Sequence, residues 1–178
     1  METMETGYES LDKSVLNVCA YVSFQELATR ISHRNTGRYT AEPVAEKLLS
    51  RVAKDENLHM IFYRNLVTAA LQLAPSQTMR AITEEVVDFQ MPGSVIPGFS
   101  RKAVQMAKAG IYDLRIHHDD IVTPLLRQWG VWELEGLDED GEKAREELAD
   151  AVAALDGEAT RFVERRAEAE AKKAARRA

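Results

Sequence analysis

The sequence predicts an all-α fold, a bundle of long helices. Apolar residues recur at spacings of three and four along most of the chain, whereas the apolar–polar alternation that is typical of strands is scarce. Stretches with proline and glycine interrupt this pattern at a few points and mark helix ends. With 178 residues, of which 45% are hydrophobic, the chain has the size of one domain and enough apolar side chains for a core.

Five helices are predicted in the first three quarters of the chain. Each combines helical apolar spacing with a proline or glycine near its end: about Ser10 to Asn35, Val44 to Leu73, Ser76 to Phe89, Phe99 to Ala109 and Leu114 to Gln128. The stretch from Gly37 to Pro43 is expected to end the first helix and to separate it from the second. Pro124 is expected to bend the last one, because proline cannot donate the helical hydrogen bond.

The end of the chain differs in composition. Beyond Gly141 the sequence is rich in Ala, Glu, Lys and Arg, and Phe162 and Val163 are its last large apolar residues. Such a segment could form a solvated helix or a disordered tail, and in either case we expect it to bury almost nothing. The expected organisation is therefore a partial bundle domain over residues 1–140 and a charged tail over residues 141–178.

Charge and composition exclude several functions. The net charge of -6 argues against general affinity for nucleic acids, which favours a basic surface. No apolar run approaches the roughly 20 residues that span a bilayer, and the N-terminus lacks the pattern of a signal peptide. We expect a cytoplasmic protein without a membrane partner. Its single cysteine, Cys19, cannot form an internal disulfide and is interpreted as a buried thiol.

Three polar residues occupy positions where the helical pattern calls for apolar side chains. Glu26 follows Val15, Val18 and Val22 on the stripe of the first helix, and Glu56 and His59 interrupt the equivalent stripe of the second. In an antiparallel hairpin, two residues lie opposite each other when they are equally far along the chain from the turn. The residue numbers midway between Glu26 and Glu56, and between Glu26 and His59, both fall inside the predicted turn. All three side chains should then lie at the same level between the helices.

A metal ion would explain such a cluster. A buried lone carboxylate costs several kcal/mol, roughly, unless a cation or strong hydrogen bonds compensate it. One Glu on one helix and Glu-x-x-His on the next form half of the ligand set of di-iron carboxylate bundles. Zinc hydrolysis is disfavoured, because His-Glu-x-x-His is absent and carboxylate-rich sites suit iron or manganese better. A hydrogen-bonded core histidine remains the alternative at this point.

Several segments resemble one known family. They occur in the family's order and cover most of the chain: Tyr21 to Thr29, Ser32 to Arg38, Asp55 to His59, Phe89 to Gly93, and Gly136 to Ala144. These segments resemble those of the soluble acyl-[acyl-carrier-protein] (ACP) desaturases, the family of stearoyl-ACP desaturase. The bacterial branch of that family is the closer match. The resemblance implies a ferritin-like di-iron carboxylate bundle. It also implies an enzyme that uses oxygen and two electrons to introduce a cis double bond into a saturated acyl chain.

The resemblance assigns roles to five residues. By position, Glu26, Glu56 and His59 match metal ligands, in a family whose complete site holds two Fe(2+) ions. Thr29 matches a threonine that assists oxygen activation by delivering a proton. Asp55 matches an acid in the hydrogen-bond path that orients a histidine ligand, which is a recognised way to tune a metal site.

Partners are likewise implied by the resemblance. The expected substrate is an acyl-carrier protein and the expected electron source a ferredoxin-type donor, with a homodimer as the assembly. Because acyl-carrier protein is acidic, a basic patch could steer it onto the surface. Candidate members of that patch are Arg30, Arg34, Arg38, and Lys47 or Arg51.

Half of the family's ligand set has no counterpart in this sequence. In the family, one further Glu, a second Glu-x-x-His and a tryptophan of the electron path precede the matching segment. We therefore expect this chain to correspond to the C-terminal portion of such an enzyme. Two alternatives stay open: an inactive remnant that serves as a helical assembly or binding protein, and a two-fold dimer in which both copies supply their Glu26, Glu56 and His59.

Overall fold

A computed structural model describes residues 13–176, which are helical over most of their length and contain no strand. The all-α prediction is confirmed. We number the elements in chain order: α1 (Val15–Thr40), α2 (Pro43–Leu73), α3 (Pro75–Val87), α4 (Phe99–Lys108), α5 (Leu114–Ile116), a π-helical segment (His117–Val122), α6 (Thr123–Trp129) and α7 (Glu139–Ala175). The expected start at Ser10 lies outside the described residues. Among residues 13–176, no helix combines the length and the apolar character needed to cross a bilayer.

A two-residue turn joins α1 to α2. Ala41 adopts the left-handed conformation, with φ of 51°, and its amide bonds back to α1, so the first helix ends there. The carboxylate of Glu42 then accepts hydrogen bonds from the amides of Val44 and Ala45, at 3.1 and 2.7 Å. Pro43 occupies the first turn of α2, where its missing amide costs nothing. The turn is therefore short and held by hydrogen bonds to both helices, and it sets the register of the hairpin.

Gly37 does not break the first helix, so the predicted end near Asn35 is wrong. α1 continues to Thr40, and Gly37 lies buried inside it. A Cβ atom at this position would stand 3.2 Å from the Cα of Glu46 and 3.4 Å from the Cβ of Leu49, both in α2. The glycine therefore allows the two backbones to approach closely, which is a packing role.

The hydrophobic core lies between α1, α2, α3, α6 and the first half of α7. Its largest members are fully or almost fully buried: Phe24, Leu27, Met60, Val67, Met79, Ile82, Ile121, Leu126 and Leu148. Phe24 packs edge-to-face on Trp129, with ring centroids 5.5 Å apart. Cys19 is a buried thiol, as the sequence predicted, and burial raises its pKa.

The stripe that carries the three polar residues is not the core face of this chain. Val15 and Leu48, which were expected to be buried, are 78% and 62% exposed, and Phe62 is 58% exposed. The opposite sides of α1 and α2, which carry Phe24 and Met60, form the core instead. The expectation was wrong because both helices are apolar on two faces, and periodicity does not identify which face packs within the chain. We call the exposed side the open face of the hairpin.

A π-helical segment precedes Pro124. The amide of Thr123 donates to the carbonyl of His118, five residues earlier, which is the π-helical pattern. The π-helical turn is wider than an α-helical one, so the helix is irregular next to Pro124, where the sequence predicted a bend. It also buries His117, which stacks on Phe89 with centroids 4.6 Å apart and forms a hydrogen bond with Tyr112, whose hydroxyl oxygen is 2.7 Å from its Nδ1.

α7 begins as a core helix, so the expectation that the end of the chain buries almost nothing is wrong for its first half. Ala144 and Leu148 are fully buried and pack against α3, where the Thr83 hydroxyl lies 2.9 Å from the carbonyl oxygen of Ala144. Gly141 sits against Ser76, and a Cβ there would come within 2.7 Å of the Ser76 Oγ. From Glu164 to Arg176 the chain is exposed apart from half-buried Arg166, which agrees with the solvated helix considered from composition.

Leu148→Ala tests whether α7 folds together with the bundle. Removing a fully buried leucine should lower the free energy of unfolding by about 2–5 kcal/mol, because it leaves a cavity against α3. Val163→Ala, at a position that is 44% exposed in the same helix, is the matched control and should change it by less than about 0.5 kcal/mol. Urea unfolding followed by circular dichroism measures both. Equal stability of the Leu148→Ala variant and the wild type would contradict the packing of α7 in the core.

Mild acid should destabilise the fold, because the unfolded chain then binds a proton at His117 and the folded chain does not. Burial, with a smaller contribution from His118, lowers the pKa of His117 to about 4. Because the unfolded chain binds this proton with an ordinary pKa near 6.5, this contribution to stability is complete above that pH and declines as the pH falls towards 4. We expect a loss of about 2 kcal/mol between pH 7.5 and pH 5. Urea titrations of the wild type and of His117→Gln at both pH values measure the contribution of His117 to the pH dependence of stability. A variant with the same pH dependence as the wild type would contradict this prediction.

Candidate metal centre

Two neighbouring helices bring Glu26, Glu56 and His59 together. α1 carries Glu26, and α2 carries Glu56 and His59 one turn apart. One ligand atom from each side chain lies within 4.8 Å of the other two. The Nδ1 atom of His59 is 3.3 Å from Oε2 of Glu26 and 4.0 Å from Oε2 of Glu56. The hairpin register expected from the sequence therefore does place the three residues at one level; we call them the Glu–Glu–His cluster.

The cluster is not equally buried. The side chains of Glu26 and Glu56 are 15% and 20% exposed, but that of His59 is 59% exposed. The expectation that all three are buried is thus wrong for His59. The reason is the position of the cluster on the open face of the hairpin, where no described element covers it.

Two further side chains contact Glu56. The hydroxyl of Thr29 lies 3.2 Å from Oε2 of Glu56, and also 3.1 and 3.0 Å from the carbonyl oxygens of Gln25 and Glu26. It has one proton to donate, so the carboxylate and its own helix compete for it. On the other oxygen, Nε2 of His33 stands 3.6 Å from Oε1 of Glu56. The sequence makes His33 a weaker candidate for supporting the ligands, because its spacing of seven from Glu26 places it two turns along the same face.

The two carboxylates oppose each other electrostatically. Partial burial and the proximity of Glu56 raise the pKa of Glu26 to about 7, while His59 acts in the opposite direction. A carboxyl group that is poised near neutrality is easily deprotonated by a divalent cation, which then takes the place of the proton.

Asp55 does not belong to this cluster in the structure. Its side chain is half exposed, and its contact is with Arg51 in the preceding turn of α2, at 3.9 Å. It also lines a cavity on the same side as Arg30 and Arg34. Within residues 13–176 it forms no hydrogen bond to a histidine, so its role in orienting a histidine ligand stays a prediction.

The donor set fits iron. It contains two carboxylates and one imidazole, the ligands that suit Fe²⁺ and Mn²⁺, and contains no thiolate. Spacing Glu56 and His59 by three on one helix lets them bind neighbouring positions around one ion. Three protein ligands with one side open leave room for additional donors.

Comparisons with known proteins decide the family. A family model described as fatty acid desaturase matches residues 1–177. The chain belongs to this family. Among solved structures, the chain resembles DesA2 of Mycobacterium tuberculosis, whose X-ray structure is described as an acyl-ACP desaturase. The chain aligns to it with a TM-score of 0.64 and 27% identity, covering 76% of its own length and 53% of that structure. The ferritin-like bundle expected from the resemblance is thereby confirmed.

Named relatives agree with this assignment. The chain is 52% identical over 141 residues to DesA1 of Mycobacterium tuberculosis, whose name places it among the acyl-ACP desaturases, and the match covers 79% of this chain. It is 31% identical over 138 residues to a chloroplast stearoyl-ACP 9-desaturase of Gossypium hirsutum, with 72% of this chain covered. The same matches cover only 40% and 34% of those two relatives, so the chain spans well under half of their length.

Removing the charge of Glu26 should stabilise the metal-free protein at alkaline pH. Because the folded-state pKa is raised to about 7, ionisation of Glu26 weakens the fold as the pH rises from about 4.5 to above 7. Glu26→Gln removes this penalty, so the variant should be more stable than the wild type at pH 8, and the difference should vanish near pH 5. Urea unfolding in the presence of a chelator measures it.

The control for this comparison is Glu164→Gln, an exposed position in α7. That variant should follow the wild type at both pH values. A Glu26→Gln variant that is less stable than the wild type at pH 8 would show that Glu26 is favourably held as an anion, contrary to the electrostatics described above.

Proposed function

We propose that this chain provides the Glu26, Glu56 and His59 ligands of the di-iron centre of an acyl-ACP desaturase. The observation that carries the proposal is the convergence of these three ligand atoms within 4.8 Å, in a chain that belongs to the fatty acid desaturase family. The proposed reaction introduces a cis double bond into a saturated acyl chain carried on acyl-carrier protein, with O2 as the oxidant. The names of the relatives support the class of substrate.

Bound iron would supply the oxidising power needed to remove hydrogen from an unactivated methylene group. The chain's own residues would hold and tune the ions. One oxygen of Glu56 lies within hydrogen-bond distance of the hydroxyl of Thr29, and Glu26 faces the imidazole of His59. This arrangement sets the orientation of both carboxylates before a metal arrives, which lowers the cost of binding.

Thr29 is proposed to deliver a proton at Oγ1. Its hydroxyl lies within hydrogen-bond distance of a carboxylate and two helix carbonyls, so its one proton can turn towards the cluster, and solvent at the open face would replace a proton that it gives up. Its contact with Glu56 supports the catalytic role inferred from the resemblance. Asp55, which lies one residue before Glu56, is proposed to orient a histidine ligand that lies outside the contacts of residues 13–176.

The remaining ligands of a two-iron site must come from beyond this cluster. The chain spans 40% of DesA1, so one source is the other part of a longer polypeptide. A second source is another copy of this chain, which the open face and the exposed imidazole of His59 would accommodate. A homodimer, a ferredoxin-type electron donor and a cytoplasmic location complete the proposal. A helical assembly protein without activity is the alternative.

Iron binding tests the ligand assignment. The purified protein, titrated anaerobically with Fe²⁺, should bind iron, and Glu56→Gln should weaken this binding by roughly 10–100-fold because it removes a charged ligand. Glu46→Gln, an exposed position in the same helix, is the matched control and should bind like the wild type. Isothermal titration calorimetry and light scattering on the same samples give the stoichiometry and the number of copies. Iron binding that is equal in the Glu56→Gln variant and the wild type would refute the assignment.

Desaturase activity is tested in two forms of the protein. The chain alone, and the chain fused to the part of DesA1 that it does not match, are supplied with stearoyl-ACP, reduced ferredoxin and O2, and the fatty acids are identified by mass spectrometry. Oleoyl product from the fusion, lost in Glu56→Gln, supports the proposal. Product from the chain alone, with two irons per dimer, identifies the second copy as the ligand source. A fusion that binds iron but makes no unsaturated product favours the inactive assembly protein.

A further inference from the structure

A second candidate site is a cavity of about 520 Å³ between the π-helical segment and the first half of α7. No member of the Glu–Glu–His cluster lines it. The π-helical segment contributes His118 and Asp119, and α5 contributes Arg115. α7 and the segment before it supply the remaining, mainly apolar wall: Trp132, Ala149, Val152, Ala153 and Asp156. A few polar groups beside an apolar wall are typical of a small-molecule site.

His118 and Asp119 form a hydrogen-bonded pair in this cavity. Nδ1 of His118 is 2.6 Å from Oδ1 of Asp119. Because an ionised carboxylate only accepts hydrogen bonds, Nδ1 carries the proton and Nε2 of the neutral imidazole holds a lone pair. Within residues 13–176 no group bonds to Nε2, although the side chain of His118 is only 15% exposed. The pair therefore presents a base whose tautomer is set by the neighbouring carboxylate.

Arg115 holds Asp119 in its ionised form. Nη1 of Arg115 is 3.1 Å from Oδ1 of Asp119 and 2.7 Å from Oδ1 of Asp156. The hydrogen bond from His118, together with that from Arg115, lowers the pKa of Asp119. The carboxylate is therefore available at neutral pH to orient the imidazole and to stabilise the imidazolium that forms when Nε2 takes a proton.

The guanidinium group of Arg115 also keeps one donor in reserve. Such a group has five N–H bonds. Nη1 donates to Asp119 and Asp156, and Nη2 donates to the carbonyl oxygen of Asp156 and to the hydroxyl of Thr160, at 3.1 and 2.7 Å. The fifth, Nε–H, has no acceptor among residues 13–176. A charged donor of this kind stabilises negative charge that develops on a carbonyl oxygen.

The irregular helix gives the two adjacent histidines different surroundings. His117 is buried and bonds to Tyr112, whereas His118 lines the cavity. π-helical turns are rare and are frequently found at functional sites, where they change the direction of individual side chains. This local backbone feature agrees with a site at His118 and does not depend on the hydrogen bonds within the cavity.

We propose that His118 is the general base of a second active site, which hydrolyses carboxylic esters that carry an apolar acyl group. Nε2 of His118 removes a proton from water as the water oxygen bonds to the ester carbonyl carbon, and the carbonyl electron pair moves onto its oxygen beside Arg115. The bond to the alcohol oxygen then breaks, and that oxygen takes the proton from the imidazolium. The products are a carboxylic acid and an alcohol, and His118 is neutral again.

Ester hydrolysis by the full chain tests this proposal. p-Nitrophenyl hexanoate is supplied in the presence of a chelator, and release of p-nitrophenolate is followed by absorbance. The wild type should hydrolyse the ester with saturation kinetics, above the rate in buffer. His118→Gln should lower kcat/KM by roughly tenfold or more, because it removes the base. Asp150→Asn, at an exposed position of α7, is the control and should behave like the wild type.

Two further variants separate positioning from binding. Asp119 acts through His118, so Asp119→Asn should lower kcat while KM stays the same, because an amide does not fix the imidazole in the required tautomer. Trp132 belongs to the apolar wall, so Trp132→Ala should raise KM for the hexanoate ester more than for the acetate ester. Thermal unfolding of each variant shows whether it remains folded. If His118→Gln does not fold, the split between kcat and KM in Asp119→Asn decides the test.

The outcomes separate clearly. Hydrolysis that is lost in His118→Gln, kept in Asp150→Asn and slower in D2O supports the general base. The absence of saturable hydrolysis above the buffer rate overturns the proposal, as does equal hydrolysis by His118→Gln. A burst of p-nitrophenolate with no effect of D2O would identify the imidazole as a nucleophile and also overturns it. Failure here leaves the iron assignment untouched, because the reaction is measured without metal, O2 or an electron donor.

Discussion

The close packing of α1 against α2 is the constraint on which the rest of the structure depends. Gly37 permits that approach because its Cα carries no side chain where the backbone of α2 passes. The packing brings two carboxylates within reach of each other and of His59, although like charges repel. The remaining core, formed with α3, α6 and α7, holds both helices from the opposite side. The scaffold therefore opposes the repulsion within the cluster.

The hairpin carries two chemically different regions beside its core. One is the Glu–Glu–His cluster, which has exposed apolar neighbours such as Leu48 and Phe62. The other is a basic cavity that Arg30 and Arg34 line. Because Glu26 and Arg30 are one turn apart on α1, a single rigid helix fixes the distance between the acidic and the basic region.

The sequence predicted the helical class, the hairpin and the level of the three polar residues. These features follow from local periodicity and from a short turn, which sequence patterns describe well. It did not predict the buried faces, because α1 and α2 are apolar on two sides. The role of Gly37 was missed because glycine is usually a helix breaker, and only the neighbouring helix shows that the position needs a small residue. The burial of Leu148 was missed because a single leucine among alanines and charges gives a weak signal.

The turn formed by Ala41 and Glu42 has a consequence for how this protein can change in evolution. Surface loops usually tolerate insertions and deletions, since their length does not alter what they connect. Here, one inserted residue carried into α2 would rotate every later side chain by about 100° around the helix axis. His59 would then turn away from Glu26. A change in length that reaches α2 therefore destroys the geometry of the cluster, whereas a substitution at this corner leaves the helical register unchanged.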